Sequence, residues 1–239
     1  MTKILIPSSG GGPNVVVAQQ HARWLLNNYQ NIDNVPNTLD FFRNKDKILA
    51  ESRLVANNVE EIFSHETLIH TFQWLTIRLL ENVKQQFLEN ASDEDKWNSN
   101  MTFLLDISKV HIYYDLFLSF YHELSENTIS NEKTRQVLND ACSLTGVWHL
   151  RDVVHLLLET EFITAKQSLL LRKAVISLSR KLREDVVPLI DGLLYADFQL
   201  KSAFGCYDGN VYERYLQQVK RKGVEDPIVG PDAIYSAKL

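Results

Sequence analysis

The chain has 239 residues, 45% hydrophobic and 23% charged, a balance that excludes disordered and fibrous classes. Its net charge of -5 argues against general nucleic-acid affinity, which rests on lysine and arginine neutralising phosphates. Cys142 and Cys206 are too few and too far apart for a disulfide framework, and no apolar run reaches the roughly 20 residues of a membrane span.

The first 13 residues contain Ser8-Ser9-Gly10-Gly11-Gly12, which carries no packing signal, and an apolar stretch at Ile4-Leu5-Ile6 too short for a secretory signal. A helix is predicted over residues 14–28, with Val15, Val16, Ala18, Ala22, Leu25 and Leu26 as its apolar positions. Residues 29–38 are polar, contain Pro36 and read as a linker, and residues 39–63 predict short helices interrupted by asparagines. From residue 66 to about 90, Leu68, Phe72, Leu75, Leu79, Val83 and Phe87 fall on one face of a long helix. An acidic hinge at 92–96 separates it from a second long helix over 97–124.

Residues 128–133 break that helix, and the leucine-rich stretch 137–159 predicts another, interrupted at Gly146. Thr164 and Gln167 have capping-box spacing at the start of a helix over 165–184. Pro188 fixes where the next helix starts or kinks, and Leu189, Leu193, Ala196 and Leu200 give it one apolar face. Gly205 and Asp208-Gly209 then reverse the chain. A last helix follows, with Asn210 and Glu213 as a second capping box, Val211, Tyr215, Leu216 and Val219 as its face, and Gly223 as its stop. The periods are helical throughout, so the predicted fold class is all-α, a helical bundle.

Several constellations have a functional and a plainer reading. His149, Asp152, His155 and Glu159 share a helix face that could hold a metal, but the leucines and valines opposite make it a solvated face, and no metal ligand is assigned. His65 and His70 do not share a face, while His111 and Asp115, four apart, predict a local hydrogen bond. Tyr207, Tyr212 and Tyr215 are expected to pack in a core rather than form a ligand wall. Neither cysteine has a basic neighbour in sequence that would activate its thiol, and no glycine-rich loop follows a strand.

The wording of the last third is more particular. Leu189-Ile190-Asp191-Gly192, then Gly205 and Tyr207-Asp208-Gly209-Asn210-Val211-Tyr212, resembles the C-terminal helical domain of the peroxisomal acyl-CoA oxidases. There a helix reading roughly LVDAF precedes GRYDGNVYE, with a basic residue where Cys206 stands here. Phe72-Gln73-Trp74, Arg78-Leu79-Leu80, the pair Trp97-Asn98 and Lys109 with His111 are similar to further words of that family. The segment from Asn14 to Leu25 resembles the stretch just after its catalytic glutamate, which places Gly11 at that acid. No Asp or Glu occurs in the first 32 residues to replace it.

The resemblance implies a division into residues 1–38, a flexible start, remnant helix and linker; 39–223, the C-terminal helical domain; and 224–239, an extended tail. It implies a complete enzyme that uses FAD to convert acyl-CoA and oxygen to trans-2-enoyl-CoA and hydrogen peroxide. This chain would be a truncated form inactive on its own, with no catalytic residue and Asn14 as its one cofactor-side position. The ending Ala237-Lys238-Leu239 fits the tripeptide address read by the peroxisomal import receptor. The implied partners are that receptor and a second copy or a full-length oxidase. The competing expectation is a non-enzymatic peroxisomal module that pairs with the full-length enzyme.

Overall fold

Apolar spacing along its longest helices supplies most of the core of this protein. A computed structural model describes residues 14–89, 93–200 and 202–225. The expectations for Gly11 to Pro13 and for the tail with Ala237, Lys238 and Leu239 lie outside these residues. Every regular element among them is helical, in agreement with the all-α prediction. The chain divides into two compact units between Arg183 and Glu184.

In the first unit, helix α1 (Asn14–Gln30) packs on the later helix α6 (Met101–Glu126) and buries Ala22, Leu25, Leu26 and Tyr29. Tyr29 therefore belongs to a helix rather than a linker, and donates a 2.6 Å hydrogen bond to Glu81. Two 3₁₀ turns follow. The second, Asn37–Asn44, buries Leu39, Phe41 and Phe42, with Phe42 edge-on to Tyr29 at 5.1 Å. Short helices α2 (Lys45–Ala50) and α3 (Val59–Ile62) occupy the region where asparagines interrupt the apolar pattern. Asn58 caps α3 by accepting the Glu61 backbone N–H.

Helix α4 (His65–Glu89) buries Leu68, Phe72, Leu75, Leu79 and Val83, the face its periodicity predicts. The expected helix over 97–124 is two helices, α5 (Asp93–Ser99) and α6 (Met101–Glu126). They part at buried Asn100, whose backbone is non-helical and whose side chain donates to the Lys96 carbonyl. Asparagine competes well for such local bonds, and periodicity alone does not register it.

Helix α7 (Glu132–Asp152) runs unbroken through Gly146, against the expected interruption. A Cβ there would lie 2.8 Å from the Leu68 Cδ1 and 3.0 Å from the Phe117 Cδ2. The glycine is a contact point at which α7 meets α4 and α6, not a break. The break comes at Val153, before α8 (Val154–Glu159). Helix α9 (Ala165–Leu182) opens with the predicted capping box, Thr164 and Gln167 bonding each other's backbone N–H. It lays Leu171, Ala174, Val175 and Leu178 in the core.

The second unit departs further from its sequence pattern. The apolar helix expected over 186–200 is two short ones, α10 (Val186–Asp191) and α11 (Asp197–Leu200). Gly192 and Leu193 form a turn, and Leu194 takes a left-handed φ of 55°. Leu193 and Leu194 are exposed, so the regular spacing had no face to bury. Helix α12 (Val211–Glu225) continues past Gly223, because a helical pattern with lysine and arginine in it tolerates one glycine.

Candidate functional site

The motif that resembles the oxidases lies on α10, on the turn that runs through Gly205 and Gly209, and on the start of α12. Gly209 sits at φ +68° with nothing within 4 Å of an added Cβ, so backbone shape rather than space calls for glycine. Asp208 Oδ1 accepts the Asn210 backbone N–H at 3.0 Å, while Arg214 donates to Asp208 Oδ2 from Nε at 3.1 Å and Nη2 at 2.7 Å. The Asn210 N–H, and then Arg214, hold the Asp208 carboxyl below its usual range. Asp197 accepts the Tyr207 backbone N–H at 3.1 Å and lies 4.0 Å from Arg214. This polar knot, rather than apolar burial, fixes the turn.

Three expectations change here. Asn210 and Glu213 do not form the reciprocal box; the Asn210 side-chain amide donates to Glu213 at 2.9 Å instead, because Asp208 already holds the Asn210 N–H. Tyr207, Tyr212 and Tyr215 are 79%, 90% and 52% exposed and make no core. Cys206 does acquire a basic neighbour, since the reversal at Gly209 brings Arg214 Nη1 to 3.1 Å from its Sγ. The Asp208-Gly209 turn was the available signal: it folds residues eight apart onto each other.

The polar face of α7 and α8 meets α6. Asp152 accepts from Lys109 at 2.6 Å and from the Tyr113 hydroxyl at 2.8 Å, and these bonds, Lys109 first, lower its carboxyl. His149 stacks on Tyr113 at 4.2 Å, and burial keeps it below its usual range. His155 and Glu159 are exposed, and burial raises Asp106 beside them. Among the described residues no group of three or more His, Cys, Asp or Glu could hold a metal ion. His65 bonds Ser143 and His70 faces Glu51, so those two histidines serve separate contacts.

The α1–α6 interface holds an arrangement that sequence spacing did not reveal. His21 Nδ1 lies 2.9 Å from the Ser108 hydroxyl, and its ring meets His111 edge-on at 5.1 Å. His111 is fully buried, which pushes it down to about 3 and keeps it neutral. Asp115 lies 3.3 Å from His111 Nδ1, close as predicted, but without the alignment of a hydrogen bond. Burial pushes Asp115 up to about 6. Asp115 also lines a cleft of about 650 Å³ between the 37–44 turn, α4 and α6.

The flavin dinucleotide implied by the resemblance does not fit these residues. A pyrophosphate seeks cations or converging N–H groups, whereas the cleft is lined by Asp40 and Asp115 with no lysine or arginine. Arg214 and Lys109, beside the other two arrangements, are already bonded to Asp208 and Asp152. Asn14 opens α1, but its side chain is outside the described residues.

Comparison with known proteins places the chain. A profile of the family described as acyl-CoA oxidase matches residues 64–231. Peroxisomal acyl-coenzyme A oxidase 1 of Pongo abelii is 26% identical over 218 residues, 87% of this chain and 33% of that protein. The structure of Arabidopsis thaliana acyl-CoA oxidase 1 is similar with a TM-score of 0.81 at 24% identity, covering 92% of this chain and 34% of the other. Acyl-CoA oxidase-2 of Caenorhabditis elegans, bound with FAD, ascaroside-CoA and ATP, gives 0.75 at 23% identity, covering 96% and 34%. The chain spans about a third of the length of the relatives it matches. It belongs to the acyl-CoA oxidase family, and its fold is that of the family's C-terminal helical domain.

Proposed function

We propose that this chain is the C-terminal portion of a peroxisomal FAD-dependent acyl-CoA oxidase, a truncated form that is inactive by itself. The complete enzyme would convert acyl-CoA and oxygen to trans-2-enoyl-CoA and hydrogen peroxide, a step of fatty acid β-oxidation. The family match over residues 64–231 carries this reading. The oxidase of Caenorhabditis elegans bound with FAD and ascaroside-CoA supports the cofactor and a CoA-linked substrate.

Chemistry supports the inactivity. Breaking the C–H bond beside a thioester needs a positioned base while a hydride leaves for the flavin. The first 32 residues contain no carboxylate to act as that base, and the cleft on α6 offers a pyrophosphate no lysine or arginine in its lining. In this reading residues 39–223 form the C-terminal helical domain, and Asn14 reaches the flavin only in the complete enzyme. The purified chain is expected to carry no flavin spectrum and to release no peroxide from palmitoyl-CoA. Stoichiometric flavin with turnover would sink the proposal.

One observation favours a second reading, a non-enzymatic module that pairs with a full-length oxidase or with its own copy. In the second unit Val187, Ile190, Leu194 and Tyr212 are 62%, 61%, 86% and 90% exposed. Large apolar side chains left exposed in one unit suit an interaction site. Co-sedimentation with the full-length oxidase supports it, and a free monomer in the presence of that enzyme counts against it.

The peroxisomal names of the relatives and the ending Ala237-Lys238-Leu239 support import through the peroxisomal receptor. A fluorescent carrier ending in residues 235–239 is expected to enter peroxisomes, and the same carrier without Leu239 to stay diffuse. A cytosolic distribution for both contradicts the assignment.

A further inference from the structure

The cleft on α6 has the size, walls and charge of a ligand site. Its volume of about 650 Å³ lies inside the roughly 300–1,000 Å³ of small-molecule pockets. Phe41 and Tyr114, whose rings meet edge-on at 5.4 Å, line it together with Ile69 and Leu118. Gln73, which donates to the Tyr114 hydroxyl at 2.8 Å, and Ser119 add polar groups.

Charge narrows the occupant. Two carboxylates line the cleft, and no lysine or arginine does. Asp40 is neutralised by Arg43 at 2.8 Å. Among the described residues, the ion-pair neighbour of Asp115 is His111, at 3.3 Å, and that buried imidazole stays neutral; His122 also lines the cleft. A part-buried carboxylate without a cation is costly, which is why burial drives Asp115 up to about 6. A ligand that brings a positive charge relieves this cost, an anion adds to it, and a neutral molecule brings no charge to offset it.

We propose that this cleft binds a small organic ammonium ion with an apolar body, its N–H groups on the Asp115 carboxylate and its body against Phe41, Tyr114 and Leu118. Aromatic walls suit such a ligand twice, through apolar burial and through attraction of a cation to ring faces.

Three probes of similar shape test the proposal by calorimetric titration of the full chain near neutral pH: benzylamine, benzyl alcohol and phenylacetate. Benzylamine is expected to bind about ten-fold or more tightly than either of the others, as a charge-assisted contact allows. Asp115→Asn should bring the three to within about two-fold, while Asp40→Asn, which removes a carboxylate already paired, should keep the preference. Equal binding of the three, tightest binding of phenylacetate, or no binding of benzylamine overturns the proposal. So does an ammonium preference that survives in Asp115→Asn. The comparison of probes on the unaltered protein stands even where a variant fails to fold.

Discussion

The bundle of residues 14–183 and the unit of residues 184–225 are both helical, yet they are held together by different means. In the bundle, Leu25, Phe72, Leu75, Phe117 and Phe162 are fully buried, and Gly146 is there because α7 approaches α4 and α6 too closely for a side chain. In the second unit, Ala203 is the one buried residue among those described, and the turn rests on Asp208, Arg214 and Asp197. Burial contributes most of folding stability, whereas exposed ion pairs contribute little. The bundle therefore carries a core of its own, while the second unit leaves most of its apolar side chains uncovered.

The largest test of this contrast is truncation of one large side chain in each unit. Phe72→Ala should cost about 3–5 kcal/mol in urea melts, by lost transfer energy and the cavity it leaves. Leu194→Ala, at a position 86% exposed, should stay within about 0.5 kcal/mol. Comparable costs at the two sites would erase the distinction.

Glycine substitutions sharpen it. Gly146→Leu drives atoms into Leu68 and Phe117, both fully buried, and should cost about 1–3 kcal/mol or more. In the second unit a Cβ at Gly205 also meets a leucine, the Leu200 Cδ1 at 2.8 Å, but that side chain is 42% exposed and can swing away. Gly205→Ala should therefore change stability by no more than about 0.5 kcal/mol. A large loss at Gly205 would point to packing that the exposed surface does not suggest.

Between about pH 7 and pH 5 the bundle carries two opposing acid responses. His111 falls from 6.5 to about 3 on folding, so below pH 6.5 the unfolded chain takes up the proton first and stability drops with pH. Asp115 rises from 3.8 to about 6, so the folded state protonates first and stability increases as pH falls through 6. Between about pH 7 and pH 5 the two oppose each other. His111→Leu removes the first and keeps the second, so its loss over that interval should be about 1–2 kcal/mol smaller than that of the unaltered chain. Equal losses would show that His111 is reached by protons without unfolding.

The smallest pair compares caps. Thr164→Ala removes half of a formed capping box on α9 and should cost about 1 kcal/mol of global stability. Arg214→Ala breaks exposed bonds in the second unit and should leave global melting of the bundle unchanged, altering only the local order of the turn. A drop in bundle stability in Arg214→Ala contradicts that division.

Sequence legibility follows the same contrast. Periodicity on α4 named five of the residues that are buried, because a face that packs must repeat with the helix. The Thr164 and Gln167 box was legible for a local reason, since both partners lie within one turn. Between 186 and 200 the same spacing misled: without a packing surface, Pro188 sits in the first turn of α10, Gly192 follows its end, and Leu193, Leu194 and Leu200 stay exposed. Tyr207, Tyr212 and Tyr215 misled for that reason too. The Asp115 cleft lay beyond sequence reading because its walls come from the 37–44 turn, α4 and α6, which only tertiary packing assembles.

Hydrogen exchange followed by mass spectrometry on the isolated chain tests the central contrast most directly. Amide protection tracks local and global opening separately, so each unit reports its own stability. The account predicts slow exchange along α4, α6, α7 and α9 and fast exchange in α10, α11 and α12, with protection of the latter rising when full-length acyl-CoA oxidase is added. Equal protection of both units in the isolated chain would contradict it.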